Sequence, residues 1–592
     1  MDTHAGPESE LHATGHLLTK VGGRPVVVFW HENQAWAIDD RCPHLGLPLH
    51  QGTVESGMVT CHWHHARFDL SSGCTLDPWA DDAAAYDVAI RDGEVYVATR
   101  PPGDVVGQLF ARLRNGLEDR ITLVIAKSVL GLIDEGVDVA DIVAAAADFG
   151  ATTRGAGWGA GMTVLTAMAS VTPRLHPDDR ALALTQALAF LAADVAGHPP
   201  RFALEPMAGA DLSAERLESW FRRFVDTRSG DAAERTLASA LVADHVGRAD
   251  VEAMMFAAVT DHVFIDEGHT VDFTNKAFEL VDLLGTDRAI VVLPTLVHEM
   301  ASATRHEELS AWRHPHDLAG PALGTELTVG AGIAESDVAA LGRALLVDDP
   351  AAIVDQLVAA GEAGATAEQM ARAVALAAAL RIVRFHTTND HRDWDTVHHA
   401  MTTANAVHAA VARHDTPELR RAIVHGALKV YLDRFLNVPA ARLPEATTGS
   451  LASLAACWEV QGAVAEAGRE ANGFLVDGGD PEALIAALGR ALLAEDATFH
   501  WFQLYEAVVA QHDAWPAGSP EGRIPLVAFA RFLAAHTPTR RETSRVVDIA
   551  RRLRRGDPLH EADDAASDDL AGAGADRDSI AAGEVPVSVA GG

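Results

Sequence analysis

Cysteine is scarce in this chain, four residues in 592, which excludes a disulfide framework and leaves metal binding or plain burial as the uses of a thiol. Positive charge is short as well. Lys and Arg number 47 against 83 Asp and Glu, a formal net charge of −36, so a phosphate backbone or an anionic membrane surface would be repelled over most of the surface. Neither nucleic acid nor membrane is an expected partner. Long apolar runs are missing too: the best, Leu123–Ile133, is interrupted by Lys127, and Met1–Glu10 has neither a basic start nor an apolar centre. No spanning helix and no signal peptide are expected, and the expected location is cytoplasmic. P-loop, nucleophile elbow and dinucleotide fingerprint are also lacking; Gly155-x-Gly157-x-Gly159 has no preceding strand or spaced acid and reads as a helix break. Apolar residues, in contrast, make up 48% of a chain too long for one core, so two or more domains are expected.

Composition changes near residue 100. Before it, Val26–Trp30 and Gln34–Ile38 are β-branched or aromatic runs about a turn at His31-Glu32-Asn33, and Val88, Ile90, Val95 and Val97 alternate about Arg91-Asp92-Gly93-Glu94. These predict a small all-β domain over 9–100, preceded by a flexible stretch, 1–8. Pro101-Pro102-Gly103 then breaks the chain, and 101–555 is rich in Ala and Leu at helical spacing. The fold class expected is therefore multidomain, a small all-β domain followed by a large all-α domain of helical hairpins. Residues 556–592, acidic and rich in Gly and Ala, read as a disordered tail.

Cys42-Pro43-His44 and Cys61-His62-Trp63-His64 give C-x-H, sixteen intervening residues, then C-x2-H. Two thiolates and two imidazoles on two loops of a β-frame suit a [2Fe–2S] cluster with sulfur ligands on one iron and nitrogen ligands on the other. A structural Cys2His2 zinc site uses the same ligand types, but its framework carries the histidines on a helix, and none is readable here. With the Gly46 that follows the first loop and the Phe68–Gly73 hairpin after the second, residues 9–100 resemble the Rieske iron–sulfur family. The resemblance implies that Cys42 and Cys61 bind one iron and His44 and His64 the other. Rieske proteins of respiratory complexes have a further cysteine in each loop, joined as a disulfide; Leu47 and Trp63 stand at those positions. The likeness is therefore to the lower-potential domains of soluble ferredoxins and ring oxygenases, which donate electrons. Cys74 and Cys457 have no metal-spaced partners and read as buried small hydrophobes.

The helical part repeats itself. His262-x3-Asp266-x2-His269 recurs as His391-x3-Asp395-x2-His398, each followed by an Asn, Asn275 or Asn405, and then by a helix ending at His298 or His425. Related frames run over Leu165–Thr185 and from His500 through His512-Asp513. Residues i, i+4 and i+7 share one helix face, so each motif predicts two imidazoles and a carboxylate in one stripe, facing its copy across a pseudo-twofold axis. The candidates for ligands or proton donors are His262, Asp266, His269, His298, His391, Asp395, His398 and His425. Such a stripe would hold a second metal, iron or manganese, or a haem; the packing alternative is a set of His–Asp and His–Asn hydrogen bonds. The D/N-x2-H-x4-5-H signature of ring-hydroxylating oxygenases is not completed by either motif. In scattered His and Asn positions the hairpins resemble the questin-oxidase-like family, which implies oxidative chemistry on an aromatic substrate. Arg372, Arg381, Arg384, Lys429 and Arg434 read as a solvated basic face.

Together these readings predict an oxidoreductase in which the cluster passes electrons to a His/Asp-lined site, with oxygenase-like chemistry on a small aromatic or quinone-like substrate. The expected partner is an electron-donating reductase or ferredoxin, since no flavin or nicotinamide motif is present. The alternative is a ferredoxin-type carrier or redox sensor whose helical repeats dock other proteins.

Overall fold

The structure is a computed structural model that describes residues 2–557 apart from 78, 100–102, 208–211, 264, 311–316, 318–319, 321–323, 388–390, 446 and 556. The segment expected as an acidic tail lies outside the described residues except for Asp557, and so do the side chains of His391 and Asp395. The chain divides into two compact units, Met1–Pro101 with Arg552–Gly592 and Pro102–Arg551.

Among its described residues up to 99, the first unit is all-β apart from the short helix Glu8–Thr14 and the single 3-10 turn Leu49–Gln51. Its strands are β1 (Thr3–Pro7), β2 (His16–Val21), β3 (Arg24–His31), β4 (Gln34–Asp39), β5 (Thr53–Glu55), β6 (Met58–Thr60), β7 (Arg67–Asp69), β8 (Ala85–Tyr86), β9 (Val88–Arg91) and β10 (Glu94–Val97). They form three antiparallel sheets of order β1-β10-β9, β2-β3-β4-β8 and β5-β6-β7. Both expected hairpins are present. His31 pairs with Gln34 and Arg91 with Glu94, and the turn pairs Glu32-Asn33 and Asp92-Gly93 all have positive φ, the backbone that matches strand twist in a two-residue loop. The run Val26–Phe29 does not alternate with polar residues because both faces of β3 are covered. Val27 and Phe29 join the core that holds Cys42 and Cys61, while Val26 and Val28 join a second core with Leu11, Tyr86 and Val95. Residues 3–7, expected as part of a flexible lead-in, instead form β1, whose partner β10 would otherwise be an open edge. Cys74 is exposed and Cys457 half-buried, so neither is the buried hydrophobe expected: Cys74 follows the turn glycine Gly73, and Cys457 ends a helix with its thiol donating to the Ser453 carbonyl.

Among the described residues no strand follows β10. The second unit is built around α1 (Ala160–Val171), α2 (Arg248–Thr260), α3 (His269–Leu284), α4 (Ala367–Val383), α5 (His391–Arg413), α6 (Pro417–Leu432) and α7 (Phe499–Asp513). α3 packs on α1 and α5, and α7 on α1 and α5, so these four surround a common axis; α4 and α6 back α5. Because α4 is enclosed all round, the expected basic face on it is internal. Arg372 pairs with Glu335 and stacks over Trp515, its guanidinium carbon 4.6 Å from the ring centre. Arg381 donates to the Val430 carbonyl and to Asn437, and Lys429 on α6 is 2% exposed, 3.8 Å from Asp433. These cations satisfy helix ends and buried carboxylates rather than face solvent.

The glycine triplet breaks the helix before α1, as its sequence implies. Gly157 has φ +86° and the Trp158 N–H bonds the Thr295 carbonyl at 2.7 Å; a Cβ on Gly157 would lie 2.1 Å from that oxygen. Gly157→Ala should destabilise the fold by about 2 kcal/mol or more. Gly136→Ala, also at positive φ but in open space, should cost about 1 kcal/mol. Equal shifts of the two denaturation midpoints would mean that the close approach to Thr295 carries no weight. No helix among the described residues is long and apolar enough to cross a membrane.

Candidate functional site: a cluster-loop pair and a histidine triad

The two motif loops of the first unit are built alike. Gly46 N–H bonds the Cys42 carbonyl and Cys42 N–H the Leu47 carbonyl; His65 N–H bonds the Cys61 carbonyl and Cys61 N–H the Ala66 carbonyl, all within 2.7–3.0 Å. Each fold-back needs a left-handed residue, supplied by Gly46 (φ +84°) and by His65 (φ +62°). Asp40 braces the first loop, accepting the backbone N–H and bonding the ring Nδ1 of His50, each at 2.8 Å. The thiols of Cys42 and Cys61 are buried and share a hydrogen bond, which pulls Cys61 down to about 6 and pushes Cys42 up. The His44 and His64 rings lie on the outer side, 4.6 Å apart between centroids. His62 bonds Thr53 at 2.7 Å, and so it does not compete with His64.

Sulfur donors inside and imidazoles at the rim are the donor set that a [2Fe–2S] cluster of mixed ligation requires. A family model described as Rieske [2Fe-2S] domain matches residues 3–87, and the ferredoxin subunit of 3-phenylpropionate/cinnamic acid dioxygenase from Photorhabdus laumondii is 32% identical over 70% of its own length. The chain belongs to the Rieske [2Fe–2S] family. Ferredoxin CarAc of Metapseudomonas resinovorans is 29% identical over 82 residues, 14% of this chain and 77% of that protein. Human apoptosis-inducing factor 3 is 34% identical over 79 residues, only 13% of either chain. The family implies a [2Fe–2S] cluster and an electron-transfer role for the Rieske domain. Trp63 stacks on His64 at 4.6 Å and Trp79 meets His44 edge-on at 4.9 Å, so the imidazole rim is flanked by two exposed indoles.

In the helical unit, one group of histidines has metal-binding geometry. A ligating nitrogen each from His269, His399 and His500 lies within 4.8 Å of the others, with the Nε2 atoms of His269 and His399 3.1 Å apart. Three helices deliver them: His269 opens α3, His399 sits in the third turn of α5 and His500 in the first turn of α7. His398 is fully buried beside them, its ring 3.9 Å from His500 and 4.1 Å from His399, and its Nε2 has no hydrogen-bond partner among the described residues. Burial holds all four imidazoles neutral, with lone pairs available at pH 7: it lowers His269, takes His500 down to about 3, and with mutual repulsion carries His398 and His399 well below the usual range. His269 and His500 are half-buried while His399 is buried. Phe273 and Phe499 pack against the group, 5.5 Å from the His269 ring and 4.8 Å from the His500 ring.

The motif His262-x3-Asp266-x2-His269 does not form one helical stripe. α2 ends at Thr260, and Asp266 (φ +45°), Glu267 (φ +57°) and Gly268 (φ +104°) turn the chain through left-handed backbone before α3 begins. Non-glycine residues held there cost about 1–3 kcal/mol each and persist only where packing requires them. Here Gly268 is pressed against Thr403 of α5, and Glu267 reaches His399 Nδ1 at 3.4 Å. His262 is parted from His269 and bonds Glu307 at 2.6 Å. It lines, with Glu267, Gly268, Thr403, His425 and Lys429, a small cleft beside the triad that has room for about one water-sized body, about 20 Å³. His298 turns elsewhere, 3.2 Å from Glu234 and 3.5 Å from Asp231, whose charges raise it. Of the expected residues, then, His269 and His398 meet at the triad, Asp266 adjoins it through the turn, His262 and His425 share the cleft, and His298 stands apart. Sequence reading passed over His399, and took His500 only as the start of a faint repeat.

His425 is buried and neutral, pushed down to about 3 by burial and by Arg421. A base lowered in the fold from 6.5 contributes stability that is full above pH 6.5 and lost as pH falls from there toward 3. His425→Gln lacks that loss, so its melting temperature relative to wild type should rise steadily as pH falls through this window. Parallel melting curves across the window would show that His425 takes up its proton in the fold as readily as when unfolded.

Proposed function

We propose that the chain is a Rieske-fed oxygenase: the cluster on Cys42, His44, Cys61 and His64 passes single electrons to a non-haem iron held by His269, His399 and His500, where a small aromatic substrate is oxidised with dioxygen. The observation that carries this reading is the convergence of three neutral imidazoles from three helices on one point. Bound iron would supply the redox and dioxygen chemistry there; ligation by three imidazoles suits iron, and zinc accepts the same donor set. Phe273 and Phe499 offer an apolar, aromatic wall for a planar substrate. Glu299, half-exposed as a residue but with its carboxyl buried, accepts from Thr270 at 2.9 Å and is pushed up to about 8 by burial, so it can carry a proton at neutral pH next to the first turn of α3. The electron donor would be a reductase or ferredoxin.

The test is oxygen uptake by the full chain with a flavin-dependent reductase and a panel of polycyclic phenols and quinones. Substrate-dependent uptake coupled to cluster oxidation supports the reading; no uptake above that of the iron-free protein overturns it. A carrier reading is favoured by one observation, the likeness to ferredoxin subunits over most of their length. On that reading the helical unit docks partners and the triad stays metal-free.

A further inference from the structure

Below the triad, α3 and α7 face each other with a ladder of polar residues where a helix interface is ordinarily apolar. Stepping by three or four residues, which keeps to one helix face, the rungs are His269 with His500, then Asp272 with Gln503, then Lys276 with Glu506, and last Glu279. The first rung is a pair of near-parallel rings, interplanar angle 10° and centroids 5.5 Å apart. In the second, the Gln503 amide donates to Asp272. In the third, the Lys276 ammonium donates to Glu506, and at 2.7 Å to Glu279. Asp272, Lys276 and Gln503 are at most 1% exposed and Glu506 6%, whereas the Glu279 side chain is 20% exposed and ends the ladder at the surface.

We propose that Asp272 and Gln503, with Lys276, Glu506 and Glu279 behind them, form a proton-delivery column that runs from the surface to the histidine site. This rests on the oxygen-consuming reading above. A structural interface gains nothing from these groups, since burying charges costs more than hydrophobic residues of the same volume would. The second rung is also incomplete: Asp272 Oδ1 and Gln503 Oε1 have no partner among the described residues. Two buried acceptors left without a donor call for a proton on the carboxyl or a bridging water, and both are what a relay uses. Burial supports the same role, pushing both Asp272 and Glu506 up to about 7, while the carboxylates around Lys276 keep it charged.

The charges acting on Asp272 are Lys276, Glu506 and Glu279. Other elements packed on α3 bring His398, His399 and His408 from α5, Glu252 from α2 held by Arg413, Asp266 and Glu267 from the turn, and Arg288 held by Asp148. α1 brings none. Insertion of one oxygen atom, RH + O2 + two electrons + two protons giving ROH + H2O, needs a proton supply at a site walled by phenylalanines. Asp272 gives up its carboxyl proton toward that site and regains one from the Glu506 carboxyl, which is reprotonated from solvent by way of Glu279, the Lys276 ammonium staying charged between the two carboxylates. Each hop moves a proton and no electron.

The experiment uses the full chain loaded with iron and reduced without oxygen by dithionite, then mixed with aerated buffer while cluster absorbance reports reoxidation. Asp272→Asn should slow the reaction by about a hundredfold and flatten its dependence on pH through 7, with metal content unchanged; Asp272→Glu should restore part of the rate, and Glu506→Gln should slow it independently. In the metal-free protein, infrared spectra should show a carboxylic-acid C=O band that disappears as pH rises through 7 and is missing from Asp272→Asn. Wild-type rates and pH profiles in Asp272→Asn and Glu506→Gln overturn the column while leaving the oxygenase reading in place. Wild-type reoxidation in His500→Ala overturns the oxygenase reading, and the column with it.

Discussion

His500→Ala should strip the helical unit of its metal while leaving the Rieske spectrum untouched. Loss of a residue that merely supports a ligand costs 10–100-fold in metal affinity, so losing one of three ligands should exceed about a hundredfold. Iron or manganese beyond the cluster's own iron should then fall to background on dialysis. His500 is half-buried in the first turn of α7, so its removal opens no large internal cavity, and the melting temperature should change little. His298→Ala is the matched control: that ring is engaged by Glu234 and Asp231, and its loss should leave metal content at wild-type level. Equal metal retention in the two variants, or metal in neither wild type nor variant, would overturn the assignment of the triad.

The two sites differ in how far the sequence reveals them, and the difference is one of locality. Cys42, His44, Cys61 and His64 are legible because each pair sits within one tight loop, where spacing alone nearly determines geometry. The β-hairpins at Glu32-Asn33 and Asp92-Gly93 are legible for the same reason. The triad is assembled from residues 269, 399 and 500, and no spacing rule spans such distances. Its one local motif misleads: His262, Asp266 and His269 have helical spacing, yet Glu267-Gly268 is a turn signal that overrides it, and α3 starts only at His269. His398 and His399 are adjacent and so point about 100° apart on α5; choosing between them requires knowing which neighbour covers which face. The faint repeat beginning at His500 marks that residue in the sequence, but nothing in the repeat pairs it with His269 and His399. The basic residues of α4 were read as solvated because composition says nothing about a helix being enclosed on all sides.

Cys61→Ser should abolish cluster absorption and the EPR signal of the reduced protein, because a hydroxyl at that position replaces one of the two thiolates expected on a single iron. The effect should stay within the first unit. The main core of the helical unit is built from residues between Leu113 and Ala550. Metal bound at the triad should therefore be retained at wild-type level, and the helical unit should melt at an unchanged temperature. Reductase-driven oxygen uptake should fall to background, since a reductase then has no one-electron relay into the site. The result separates the two functional readings by what remains: retained metal with lost uptake requires a second centre that is fed by the cluster, whereas complete loss of metal makes the chain a carrier. Uptake that persists without the cluster would contradict both, because the triad would then accept electrons directly and the Rieske domain would serve another acceptor.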